Sequence, residues 1–265
     1  MRGKSAIVTG SATGLGHRTA IELARSGVNV AVNFVHSGER AAALVKHLKA
    51  RFGVDAVSVE GDVSQSVGAG RVVTGAEQAL GEIDILVNNA GPFIRRHAKL
   101  AEYGEEEWRQ MIDGNLSSAF FMSRLVIPGM RARGWGRIVN IGFDRAETAP
   151  GWVSHAAYAA AKSGLVSLTR TVAMEEAEFG ITANMVCPVD IVGSWKESSI
   201  EDARGSARGS AHCRRPGTGE DIGRTIAFLC GRDSDFITGA VISVTGDTDV
   251  LFKHRTTRCP TAMGR

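Results

Sequence analysis

The chain predicts an α/β fold: a doubly wound parallel sheet of the Rossmann type, about seven strands with helices on both faces. Short β-branched runs recur along the sequence, longer amphipathic stretches separate them, and a glycine turn joins the first run to the first helix. Strands are expected at Ser5–Thr9, Val28–Phe34, Ala56–Glu60, Ile83–Asn88, Arg137–Ile141, Thr182–Val186 and Val241–Val244. Helices are expected at Gly14–Ser26, Glu39–Arg51, Val67–Leu80, Glu105–Arg131, His155–Glu178 and Gly219–Leu229. Right-handed crossovers between parallel strands put a ligand crevice at the strands' carboxyl ends.

The first strand runs into Gly10-Ser-Ala-Thr-Gly14-Leu-Gly16. Glycines there allow a tight turn and close backbone approach to a pyrophosphate, whose charge sits at the following helix N-terminus. The spacing differs from the usual Gly-x-Gly-x-x-Gly, so as a bare pattern it also fits an ordinary strand-to-helix turn. Further along, Tyr158 and Lys162 lie four residues apart, on one face of a predicted helix. A cation beside a phenol lowers the phenol's pKa, as a proton donor to a carbonyl requires. The same pair also fits a solvated helical face.

Taken in order, Thr9-Gly10-x3-Gly14-x-Gly16, Asp62, Asn88-Asn-Ala-Gly91, Asn115, Tyr158 and Lys162 resemble the short-chain dehydrogenase/reductase family over roughly residues 3 to 247, in the manner of 3-oxoacyl carrier-protein reductases. The resemblance implies that Tyr158 donates a proton to the substrate oxygen while a nicotinamide supplies hydride. Lys162 would lower the tyrosine pKa and bond the nicotinamide ribose, and Asn115 would hold a water linking the lysine to solvent. Asn115 also fits a residue at a helix bend. The cofactor positions carried over are Gly10, Ser11, Thr13, Gly14, Leu15, Gly16, Asn33, His36, Ser37, Asp62, Val63, Asn89, Ala90, Gly91, Tyr158, Lys162, Pro188 and Ile191. Dimers or tetramers, built on the two long helices, are the family habit.

Two departures stand out. The family usually carries a serine just past the fifth strand; here Phe143 stands there, in a loop about two residues longer than usual. Phenylalanine cannot donate to a carbonyl oxygen. Asp144 replacing the serine, Ser154 or Thr148 folding back into the site, and a site with reduced carbonyl-reducing power are the three explanations. Past the sixth strand the family has Pro-Gly, whereas this chain has Cys187-Pro-Val-Asp190, and valine resists the positive φ that glycine permits. Ile191 is expected near the nicotinamide carboxamide.

For the cofactor, NADPH is favoured over NADH. The second strand ends at Asn33 and Phe34, not at the acidic residue that NAD enzymes of this fold use. His36, Ser37, Ser11 and Thr13 can donate to a 2′-phosphate. The frequent arginine of NADP enzymes within the glycine turn is absent.

Composition bounds the rest. Hydrophobic residues make up 43% of the 265 positions, enough for one core over 1–250, with a basic tail at 251–265 that reads as a frayed terminus. A net charge of +3 is too small to argue for nucleic acid or an anionic membrane, and no apolar run approaches a bilayer span. Cys187, Cys213, Cys230 and Cys259 lack metal-ligand spacing and any disulfide framework, so no metal is expected. With no room for a leader before the first strand, the chain reads as a reduced cytoplasmic protein.

Residues 190–217 break the rhythm, being small and polar with tandem Ala-Arg-Gly-Ser repeats. They fit a mobile surface loop or a substrate lid whose Arg204, Arg208, Arg214 and Arg215 attract an anion. Three functions follow: a ketone reductase using Tyr158, a pteridine or quinonoid reductase using Asp144, or a dinucleotide-binding sensor with weak turnover.

Overall fold

The computed structural model describes residues 1–93, 98–206, 215–248 and 251. Seven strands form one parallel sheet: β1 (Ser5–Val8), β2 (Asn29–Phe34), β3 (Ala56–Glu60), β4 (Ile85–Asn88), β5 (Gly136–Ile141), β6 (Ile181–Pro188) and β7 (Val241–Val244). Their order across the sheet is β3-β2-β1-β4-β5-β6-β7. Ala6 pairs with Val30 on one side and Ile85 on the other. The direction of winding therefore reverses between β1 and β4, which opens a crevice above those strand ends.

Helices cover both faces. On one, α1 (Gly14–Arg25), α2 (Gly38–Phe52) and α8 (Gly219–Leu229) bury Leu23, Leu44 and Ile226 against Ala6, Val8 and Val32. On the other, α3 (Ser66–Leu80), α5 (Ser118–Arg133) and α6 (Ala156–Glu176) bury Val72, Met122 and Val172 against Ile7, Ala31, Leu86 and Ile138. Neighbours in sequence, such as Ile7 and Val8, thus enter opposite cores, because side chains alternate across a strand. Burial on both faces is why the strands read as continuous apolar runs instead of alternating ones.

The expected elements are present with ends shifted by a few residues, and one is divided. The helix expected over Glu105–Arg131 is α4 (Glu105–Ile112), a wide π turn at Asp113–Ser117, and α5. The cause lies in Asn115, whose Nδ2 donates to the Met111 carbonyl at 3.0 Å and takes the place of a backbone partner.

The 190–217 segment is more ordered than its composition predicts, at least in its first part. A single turn at Gly193–Lys196 leads into the short helix α7 (Ile200–Arg204), capped by Ser199 and anchored by the buried Ala203. Arg204 pairs with Glu201, and Arg215 makes two bonds to Asp221 at the start of α8. Both guanidiniums are thus engaged in local pairs, while Arg208 and Arg214 lie outside the described residues. The basic tail from 252 onward also lies outside them, but Leu251 is buried against the cluster that holds Phe143. Among the described residues, no helix is long and apolar enough to cross a membrane.

Candidate active site

A cleft of about 860 Å³ opens at the carboxyl ends of the strands. Of the expected cofactor residues, Gly10, Thr13, Gly14, Leu15, Asn89, Ala90, Gly91, Tyr158, Pro188 and Ile191 line it. Gly10 and Gly14 both hold positive φ (60° and 65°), which only glycine adopts at low cost. A side chain at Gly14 would project toward Lys196 across the cleft, and the Gly14 N–H at this helix N-terminus donates to the Glu197 carboxylate at 2.7 Å, so an anion already sits there. Gly16 has a different task. A Cβ there would meet the Gly10 carbonyl at 2.8 Å and Asn89 Nδ2 at 2.5 Å, so it allows the start of α1 to pack on the glycine turn and on Asn89 just past β4.

Several expected cofactor residues support the cleft from behind. Ser11 donates its hydroxyl to the Val8 carbonyl at 2.6 Å. Asn33, read as the ribose-end residue, is buried and spends both ends of its amide on backbone groups, so it is a strut between strands. Its position follows from the pleat, which turns residue 33 inward. His36 is exposed and Ser37 is half-buried in the link from β2 to α2, outside the cleft lining, and Ser37 makes no side-chain cap bond to that helix. Asp62 accepts from the Ser64 N–H, and Val63 is buried.

Tyr158 and Lys162 meet at the floor of the cleft as their spacing predicts, with Lys162 Nζ 5.8 Å from the phenol ring centroid. Lys162 is buried and Tyr158 half-buried, and desolvation dominates their titration. It raises the Tyr158 phenol well above its ordinary value and lowers the Lys162 amine to about 8. In this state the phenol keeps its proton, Cys187 and Asp190 push it the same way, and the lowering expected from Lys162 is not seen. Lys162 Nζ donates to the Ile141 carbonyl at 2.7 Å, which pins it at the end of β5.

Asn115 sits behind this pair. Its Nδ2 also donates to the Pro92 carbonyl at 3.0 Å, while its Oδ1 is buried with no partner among the described residues. An acceptor left open in this way fits a water there. The helix-bend reading of Asn115 is what the structure shows, and the same residue presents the open oxygen.

The position after β5 is apolar. Phe143 is buried and packs on Trp152 (5.0 Å between ring centroids) and Tyr158 (5.9 Å). His155 stacks between Trp152 (4.7 Å) and Phe93 (5.1 Å), and these rings line the cleft. Trp152, His155 and Phe93 were not legible as site residues, because only the fold of the longer loop brings them onto the tyrosine. Within that loop Arg145, Ala149 and Ser154 hold positive φ, a concentration of backbone strain typical of functional loops.

Asp144 does not face the cleft. It is buried behind Phe143, accepts a hydrogen bond from Ser243 Oγ at 3.0 Å, and so ties the loop to β7. Thr148 donates to the Arg145 carbonyl, and Ser154 gives its own carbonyl to Tyr103. At Val189 the backbone avoids the left-handed region altogether and bonds to Val244, so valine replaces glycine there without strain.

A glycine turn at a helix start and the Tyr158–Lys162 pair share one cleft, an arrangement that suits an NAD(P)-binding oxidoreductase, and the cradle fits such a dinucleotide. The family model described as short chain dehydrogenase matches residues 4–203, and the chain belongs to that family, whose members act on CH–OH and C=O groups. It is 46% identical over 255 residues to the Bacillus subtilis (strain 168) protein named "Putative oxidoreductase YtkK", covering 96% of this chain and all of that one. A solved structure described as a "putative 3-oxoacyl-reductase from bacillus thuringiensis" superposes with a TM-score of 0.87 at 45% identity, covering 94% of this chain and 99% of that one. A blue fluorescent protein from a metagenomic library, solved with NADPH, superposes at 0.78 with 32% identity, covering 92% and 97%.

Proposed function

We propose that this chain is an NADPH-dependent reductase that converts the ketone of a 3-oxoacyl or similar small-molecule substrate to an alcohol, with Tyr158 as proton donor. The observation that carries the reading is Tyr158, lining the same cleft as the Gly10–Leu15 turn with Lys162 beneath it. The bound dinucleotide supplies hydride. Tyr158 moves a proton from its phenol oxygen to the substrate oxygen; desolvation keeps that proton in place at neutral pH, and the positive charge of Lys162 and of the oxidised nicotinamide offsets the weaker acidity that desolvation brings. Lys162 orients the phenol and the ribose, and Asn115 Oδ1 holds a water through which the proton is replaced. Trp152, Phe93 and Phe143 exclude bulk water from the reacting carbonyl.

Support for the substrate class comes from the 3-oxoacyl description of the Bacillus thuringiensis protein, and for the cofactor from the NADPH complex of the metagenomic one and the lack of an acid at the end of β2. A cytoplasmic homo-oligomer belongs to the same reading. With Asp144 held by Ser243, a pteridine reductase using that aspartate finds no support in the geometry.

The test is NADPH oxidation by the purified protein against 3-oxoacyl thioesters, diketones, quinones and dihydropteridines, with Tyr158→Phe alongside. Tyrosine-dependent turnover of one ketone class is the expected result. Silence across the panel, with NADPH still bound, would replace the enzyme by a dinucleotide-binding sensor.

A further inference from the structure

The wall of the cleft beside Tyr158 is built of rings. Phe93 comes just after Gly91 in the chain, and both line the cleft. Its ring meets the Tyr158 phenol edge-on, at 5.0 Å and 87°, and stacks on His155 at 20°. Trp152 stacks on His155 at 27°, with Phe143 packed against it. Phe143, Trp152 and His155 are buried, but Phe93 is 45% exposed. A large apolar ring left in water beside a proton donor is where a ligand's own apolar group gains most by binding.

The same wall offers a carbonyl few hydrogen bonds. Phe143 stands where a second donor is expected and has none to give. His155 Nδ1 lies 3.0 Å from the Val153 carbonyl, which only accepts, so that nitrogen carries the proton and Nε2 of the neutral ring is an acceptor. Trp152 Nε1 is buried. Asn89 Nδ2 donates to the Thr9 and Gly10 carbonyls. Tyr158 is thus the donor this wall gives to the reacting oxygen, and a missing second donor costs an ordinary ketone roughly a hundredfold in rate. A ketone with an electron-withdrawing carbonyl beside it loses less, because less of the charge that develops on its oxygen has to be stabilised by the protein.

We propose that the substrate is a vicinal dicarbonyl attached to an aromatic ring, with the ring lying against Phe93 and one carbonyl oxygen at Tyr158. The inference rests on the reading of the cleft as a ketone-reductase site and narrows its substrate class. One carbonyl carbon gains the hydride of the reduced dinucleotide, and its C=O π pair becomes an O–H bond with the Tyr158 proton. An α-hydroxy ketone and the oxidised dinucleotide result. The substrate ring covers the exposed Phe93, and its second carbonyl supplies the activation that a protein donor at position 143 would otherwise give.

NADPH oxidation by the full chain with 1-phenylpropane-1,2-dione, butane-2,3-dione, 1-phenylpropan-1-one and a 3-oxohexanoyl thioester tests both halves of this. The phenyl dione should show a kcat/KM roughly tenfold or more above each of the others. Phe93→Leu keeps an apolar side chain and removes the ring, so the ratio of the phenyl dione to butane-2,3-dione should fall by about threefold to tenfold. Phe93→Tyr should keep that ratio. Equal kcat/KM for the two diones, or an unchanged ratio in Phe93→Leu, would overturn the place of the ring. Turnover of 1-phenylpropan-1-one or of the thioester as fast as that of the phenyl dione would overturn the need for an activated carbonyl. Each of these results leaves the reductase reading standing, whereas no turnover of any of the four removes that reading and this proposal together. Circular dichroism melts establish that both variants are folded.

Discussion

The side-chain oxygen of Asn33 accepts a 3.0 Å hydrogen bond from the backbone N–H of Gly10, which holds the glycine turn against the end of β2. The same amide donates to the carbonyls of Gly61 (2.9 Å) and Val59 (3.3 Å), so one buried side chain ties the ends of three neighbouring strands together. Asn33→Ala leaves those buried backbone groups unpaired and should cost on the order of 2–3 kcal/mol. Urea unfolding measures that loss. Binding of NADPH and NADH should weaken in parallel; a selective loss of one would return Asn33 to cofactor choice.

Phe143 occupies the place where a second donor to the substrate oxygen is expected. Phe143→Ser puts a hydroxyl there and should raise kcat toward 3-oxoacyl thioesters by about tenfold or more, since one oxyanion donor is worth roughly a hundredfold. It should also lower stability by about 3 kcal/mol, because a buried ring is lost from contact with Trp152 and Tyr158. Unchanged kcat in a folded variant would show that position 143 does not face the reacting oxygen.

Lys162 should leave a signature in stability against pH. Burial lowers its amine from 10.5 to about 8, so between those pH values the unfolded chain binds a proton that the folded chain does not. The contribution of this position to stability therefore rises with pH across that window, and below pH 8 the folded state bears the full cost of a buried cation. Lys162→Met removes the dependence. From pH 7 to pH 10 the stability of the variant relative to wild type should fall by on the order of 1–3 kcal/mol. Other titrating groups are common to both proteins and cancel. A constant difference in paired urea melts would show that the amine titrates as in water.

Gly16→Ala should damage binding through packing. The added methyl meets the backbone carbonyl of Gly10, which cannot yield without moving the turn. Both dinucleotides should bind at least tenfold more weakly, with a melting temperature several degrees lower. Binding at wild-type strength would mean that the start of α1 can shift against the glycine turn and Asn89 at little cost.

Most of the architecture could be read from local pattern. Ile7, Val30, Leu86 and Ile138 lie in β-branched or apolar runs because a central parallel strand is buried on both faces. The glycines at 10, 14 and 16 and the pair Tyr158 and Lys162 were legible because turn geometry and helical period act over a few residues. The division of the helix at Asn115 was harder to read, since it depends on where one amide finds its partners.

What the sequence determined by itself is thus the sheet, its crossovers, the glycine turn and the tyrosine–lysine pair, all set by short-range steric and periodic rules. Only the tertiary structure decided that Asn33 and Asp144 turn inward to backbone and Ser243 partners. It likewise decided that Trp152, His155 and Phe93 cover the tyrosine, and that Glu197 reaches Gly14 and Arg40. Apart from Trp152 and His155, which lie within six residues of Tyr158, these contacts join residues tens to nearly two hundred positions apart. No local spacing encodes them, because they arise from the packing of whole elements.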